Sequence, residues 1–150
     1  MEMDPALAGA HLDLGLVCLQ KSMFEEAIGE LRQALTLSGG RGVVVAVLGY
    51  AYALAGERVR ALQMLDQLHE RARRQDVSSL HAAYVHIGLG NFDRAFESME
   101  KAYLERAGLL VYLQVEPIFD RLRSDVRFAD LLRRLQFPPP GEPSNVHRAE

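Results

Sequence analysis

His81 and His86 are the residues whose type best suits a metal ion, but their spacing is wrong for one. Ligands on one helical face stand three or four residues apart, and a step of five turns the two imidazoles in different directions. The expectation is a pair of surface or partly buried histidines, with no metal and no cofactor. The carboxylates of Glu25-Glu26 and of Glu97 and Glu100 read as solvated helix faces, not as an acid and a base. Arg71, Arg73 and Arg74 form the densest basic cluster. They fall at an expected helix C-terminus, where positive charge offsets the helix dipole. Cys18 is the only thiol and so has no internal disulfide partner; a packing role suits it better than a reactive one. The chain has no Gly-rich phosphate loop, no Gly-x-Ser-x-Gly and no His-Glu-x-x-His. With no catalytic constellation in the chain, the expectation is a protein that is not an enzyme.

Composition narrows the class further. The 150 residues are 49% hydrophobic, enough to form one domain's core. A net charge of −3 argues against general attraction to nucleic acid or an anionic membrane. A lone cysteine favours a reducing, cytoplasmic setting. Glu2 and Asp4 stand where a signal peptide would need positive charge. The most apolar stretch, Val43 to Ala55, is shorter than the roughly 20 residues that cross a bilayer. It reads as a helix apolar almost all round, which something must cover on every side.

The elements that would position these residues follow a period. Ala27, Ala61 and Ala95 are 34 residues apart, and the surrounding plan repeats in blocks starting at Ala8, Gly42 and Asp76. The eighth residue of each block is small: Gly15, Gly49 and Ala83. The twenty-fourth is Leu31, Leu65 or Met99, and the twenty-seventh is Ala34, Leu68 or Ala102. Small residues at the eighth and twentieth positions suit two antiparallel helices in close approach. Gly56 and Gly90 hold the fifteenth position, where a left-handed backbone ends a helix cheaply. The first block has Ser22 there, and Ser22 followed by Glu25 reads as a capping box.

This plan resembles the tetratricopeptide repeat (TPR) family, in register from 8 to 109 and degenerating towards 136. The resemblance implies an all-α fold, an α-solenoid of antiparallel helix pairs with C-terminal capping helices. Its blocks would be 8–41, 42–75 and 76–109, preceded by a lead at 1–7. A degenerate, capping segment would follow over 110–137, then a disordered tail over 138–150. The family's Trp at position four is His11, Val45 or Ser79 here, and its Pro at thirty-two is Gly39, Arg73 or Ala107. Asp4-Pro5 falls where a preceding repeat would end, which suggests a longer array upstream; a natural start with a chance Asp-Pro is the alternative.

The helix pairs are predicted at 7–20 with 23–37, 43–55 with 58–74, and 77–89 with 92–106. A short helix is expected over 109–115, and another opening at Glu116-Pro117, with proline in its first turn. A last helix over 125–136 would be capped by Ser124-Asp125, with Phe128, Leu131, Leu132 and Leu135 as its apolar stripe. The arginines of the whole terminal segment from Glu116, namely Arg121, Arg123, Arg127, Arg133 and Arg134, would supply a polar outer face. This terminal segment resembles the end of many bacterial TPR regions found in signalling and regulatory proteins.

In the family, the first helices of successive pairs line a concave groove. Carried over by position, the groove takes Leu12, Leu16, Leu19 and Gln20 from the first block. The second supplies Val43, Ala46, Tyr50, Ala53 and Leu54, and the third Val77, Leu80, Tyr84 and Ile87. The Lys, Arg and Asn with which some members clamp a peptide carboxylate are absent. What the resemblance implies is a scaffold that binds an apolar or amphipathic protein segment around Tyr50 and Tyr84. Competing occupants of the groove are the chain's own C-terminal helices, a second copy forming a homodimer, or upstream repeats. A regulatory, sensor or dimerisation module of a bacterial transcription regulator or signalling kinase is the alternative function.

Overall fold

The computed structural model describes residues 5–74, 76–105, 110 and 113–135. These residues form helices and turns, with no strand among them. The α-helices are α1 (Pro5–Gln20), α2 (Phe24–Ser38), α3 (Gly42–Leu54), α4 (Arg58–Arg73), α5 (Leu80–Gly88), α6 (Phe92–Leu104) and α7 (Val126–Arg134). A 3-10 helix, Pro117–Leu122, precedes α7. Of the helix expected over 109–115, residues 109, 111 and 112 lie outside the described residues and 113–115 form a turn instead of a helix; the tail over 138–150 lies wholly outside the described residues.

Helices pack first with their sequence neighbours: α1 on α2, α3 on α4, α5 on α6. The pairs then meet through α2 on α3 and α4 on α5, while α3 also touches α1 and α5. This succession answers the apolar run of α3, in which every residue from Val44 to Tyr52 is buried. Ala27, Ala61 and Ala95 have no exposed surface. The small residues at the eighth position work differently from one another. A Cβ on Gly15 would sit 2.7 Å from Leu31 of α2, whereas one on Gly49 would sit 2.7 Å from Val85 of α5 and 3.0 Å from Met64. Gly49 therefore sets the spacing between α3 and α5 of the next pair as much as the spacing to α4 within its own pair.

The three turns inside the pairs are alike. The amides of Met23, Glu57 and Asn91 donate to the carbonyls of Cys18, Tyr52 and His86 at 2.9, 2.9 and 2.8 Å. Each turn passes through a left-handed residue: Ser22 at φ 59, Gly56 at φ 82 and Gly90 at φ 76. The capping box expected at Ser22 is thus overturned. Met23 is the residue at the N-cap of α2, and no side chain caps that helix. Ser22 does the work that glycine does in the other two turns, with a Cβ that opposes it. Ser22→Gly is expected to raise stability by about 1 kcal/mol. A urea midpoint that fails to rise would refute this account of the turn.

Two further expectations change. α5 begins at Leu80, three residues later than predicted, because serine side chains compete for the backbone there. The Ser78 hydroxyl accepts from the Leu80 amide at 3.0 Å, and the Ser79 hydroxyl donates to Glu105 at 2.8 Å. His81 and His86 are buried (7% and 4% exposed), deeper than the surface or partly buried placement expected of them.

The last helix is capped as expected: the Asp125 carboxylate accepts from the Arg127 amide at 2.8 Å. Phe128, Leu131 and Leu132 are buried and Leu135 is partly so. Its arginines do more than face water. Arg127 pairs with Asp93 of α6 at 2.7 Å and lies 4.3 Å above the Phe96 ring. Arg134 pairs with Glu100 and lies 5.0 Å above the Tyr103 ring. The arginine stems and planes therefore seal α7 against α6.

Candidate functional site

Tyr50 stands in the middle of α3 and its ring is held from the side by α5. A Cβ on Gly88 would lie 3.1 Å from the Tyr50 ring and 3.0 Å from the Tyr50 carbonyl, so any side chain there would make α3 give way by a few tenths of an ångström. The tyrosine is 9% exposed, and that remnant opens onto a cleft of about 400 Å³. Leu16 and Leu19 of α1 form one wall, with Gln20 at the rim. The opposite wall is the start of the 3-10 helix, with Glu116, Pro117, Ile118 and Asp120.

The expected groove residues divide at this point. Leu16, Leu19, Gln20 and Tyr50 come together in the cleft. Leu12, Val43, Ala53, Leu54 and Val77 are half-buried and pack against the core outside it. Ala46, Leu80 and Ile87 are 0% exposed and Tyr84 is 5% exposed. Tyr84 is covered by the chain itself. Phe119 of the 3-10 helix meets its ring edge-on at 5.6 Å between centroids, and Phe128 stands behind Phe119 at 6.3 Å. His81 lies on another side of Tyr84, also edge-on, at 6.1 Å.

The covering segment is held by a network that sequence reasoning did not foresee. Arg123 donates to the carbonyls of Leu113 and Glu116, both at 3.1 Å, and to the Asp120 carboxylate at 2.7 Å. It also lies 5.6 Å over the Phe128 ring. One guanidinium thus fixes both ends of the segment that carries Pro117, Ile118 and Phe119. The available signal was Pro117 at a helix start followed by Ile118, Phe119 and Leu122, an apolar set too dense for an outer cap.

Electrostatics make the cleft acidic on one side. Burial raises the Glu116 carboxyl above its ordinary value, and the Asp120 charge raises it further. The Tyr50 phenol is also pushed up, chiefly by burial, with Asp120 and Glu116 adding to the rise and Arg121 opposing it. The cleft presents apolar surface from Leu16, Leu19, Tyr50 and Ile118 and carboxylate acceptors at Glu116 and Asp120. Among the described residues, no group of three or more His, Cys, Asp or Glu side chains is placed to hold a metal ion. Among the same residues, no helix is long and apolar enough to cross a membrane. No protein-family model, curated protein or solved structure matches the chain.

Proposed function

We propose that this protein is a non-catalytic scaffold of the tetratricopeptide type that holds an apolar or amphipathic segment of a partner protein in the cleft beside Tyr50. The observation that carries the reading is the cleft itself. At the positions that line the groove in such repeats, Leu16, Leu19, Gln20 and Tyr50 remain around an opening of about 400 Å³, large enough for one or two apolar side chains. The solenoid reading draws on the succession α1, α3, α5 along one side and on the three like turns at 34-residue intervals. Tyr84 has no part in binding on this reading, since Phe119 occupies its face.

The test is a photo-crosslinker placed at Gln20, which is exposed at the rim, in the full chain. Leu16→Lys and Tyr50→Glu are each expected to weaken capture of the crosslinked partner by at least about tenfold, the effect of removing an interface anchor. Leu16 is only half-buried, so a circular-dichroism melt separates lost binding from lost folding for that variant. Capture undiminished in both variants would sink the cleft assignment. The narrower reading, a regulatory or dimerisation module of a signalling protein, draws on the apolar face of α1, where Leu14 and Val17 are half-exposed.

A further inference from the structure

Helix α1 has the composition of a buried helix and is covered on one side. Asp13 is its only acidic residue and His11 its only imidazole, with no Lys or Arg in it. Ala8, Gly15 and Leu19 are buried, whereas Leu14 is 51%, Val17 48% and Leu7 46% exposed. Ala10, also exposed, completes the stripe. Thirty-four residues on, the counterparts of Ala10, Leu14 and Val17 are Val44, Leu48 and Ala51, at 1%, 2% and 0% exposure. In α5 the counterparts of Leu14 and Val17 are Ala82 and Val85, at 4% and 0%. Where another helix pair precedes, these positions are interface. In α1, Ala10, Leu14 and Val17 meet no covering element among the described residues, and a contiguous exposed apolar stripe of this kind marks an interaction surface.

The stripe also indicates what covers it. Positions 7, 10, 14 and 17 have the three-four-three spacing of a coiled-coil seam. Reversed about position 12, the pattern maps onto itself: 7 onto 17 and 10 onto 14. An antiparallel second α1 therefore sets Leu7 against Val17 and the small Ala10 against the large Leu14, on both sides of a two-fold axis. That self-match is what an isologous contact requires. Among the described residues, a head-to-tail stack would find the α6 surface already taken, because α7 lies on it through Arg127–Asp93 and Arg134–Glu100. We propose that the outer face of α1 is a dimer interface, pairing in antiparallel fashion with the same face of a second copy of this chain. It is a different face of the helix from the one that brings Leu16 and Leu19 to the cleft.

Sedimentation of the full chain across a concentration series tests this. A one-helix contact buries less than the ~800 Å² per partner of a standard interface, so the expected dissociation constant is on the order of micromolar. The mass should rise from 16.7 kDa towards twice that value as concentration increases. Leu14→Lys should weaken the dimer at least about tenfold while leaving the monomer's melt in place, since Leu14 is already half in water. In a Cys18→Ser background, Ala10→Cys and Leu14→Cys chains should form disulfide-linked dimers faster when mixed than either does alone. A mass fixed at the monomer value would overturn the proposal. So would a dimer that tolerates Leu14→Lys, or one that shows no preference for the mixed crosslink.

Discussion

Acidification from the ordinary histidine value of 6.5 to about 4 is expected to remove several kcal/mol of stability, because His81 and His86 are folded in their neutral forms. Burial is the main reason that both are lowered to about 4, with Arg71 adding to the effect at His81 and His69 and Arg94 at His86. The unfolded chain binds protons on these rings near 6.5, the folded chain only near 4. Stability is therefore full above 6.5 and is lost as pH falls through the window between the two values. Each ring contributes a slope of up to about 1.4 kcal/mol per pH unit there. Two such slopes are large beside the ~5–15 kcal/mol that holds a domain together. Below about 4 both states are protonated and these two rings take nothing further.

Urea midpoints measured at intervals across this window check the slope. His81→Leu should flatten it by about half. The same change should raise stability at neutral pH, because both ring nitrogens of His81 lack a hydrogen-bond partner among the described residues and a buried unpaired donor costs about 1–3 kcal/mol. His86, whose Nδ1 is likewise unpaired, should respond in the same direction. A midpoint that does not change between pH 7 and pH 5 would show that water reaches these rings in the folded state.

The helices were legible in the sequence because each rests on local rules. Apolar spacing, Pro117 at a first turn, Asp125 at a cap and Gly56 and Gly90 at left-handed helix ends (φ 82 and 76) act within a few residues. The bounds of the first two pairs fall within about two residues of the periodic reading. Misreadings came where one local rule competed with another. Ser22 offers both a cap and a left-handed turn, and the closing bond from Met23 to the Cys18 carbonyl selects the turn. Ser78 and Ser79 draw backbone and carboxylate partners that delay α5.

Half of the candidate site was illegible for a different reason. Leu16, Leu19, Gln20 and Tyr50 follow from periodicity, since they belong to the repeating helices. Their opposite wall belongs to residues 116–120, which have no periodic relation to α1 or α3. Nothing in the spacing says that Phe119 seats on Tyr84, or that Arg123 spans three oxygen acceptors to fix the segment. Such contacts are set by where the chain returns after α6, which no window of sequence contains. The burial of both histidines has the same origin: α5 is covered by α3, α4, α6 and the 3-10 helix at once.

Phe119→Ala is the substitution that tests this return. Phe119 is fully buried, with Tyr84 on one side and Phe128 on the other. Removing a buried phenylalanine ring costs about 3–5 kcal/mol when its surroundings cannot collapse into the space. The effect should be uneven along the chain. The 3-10 helix touches α5, while α1 to α4 hold one another by contacts in which Phe119 has no part. The first loss should therefore be the fit of residues 117–122 over Tyr84, with the first two helix pairs still folded. With no tryptophan in the chain, tyrosine fluorescence is readable directly, and collisional quenching should rise as Tyr84 meets solvent. Binding of an apolar dye should rise with it, as the cleft beside Tyr50 extends to Tyr84. Phe119→Leu, which keeps most of the volume, should recover most of the stability and most of the protection. If Phe119→Ala left both the urea midpoint and the quenching unchanged, the segment would not be a packed cover. The groove would then be open along its whole length, and Tyr84 would return to the binding surface.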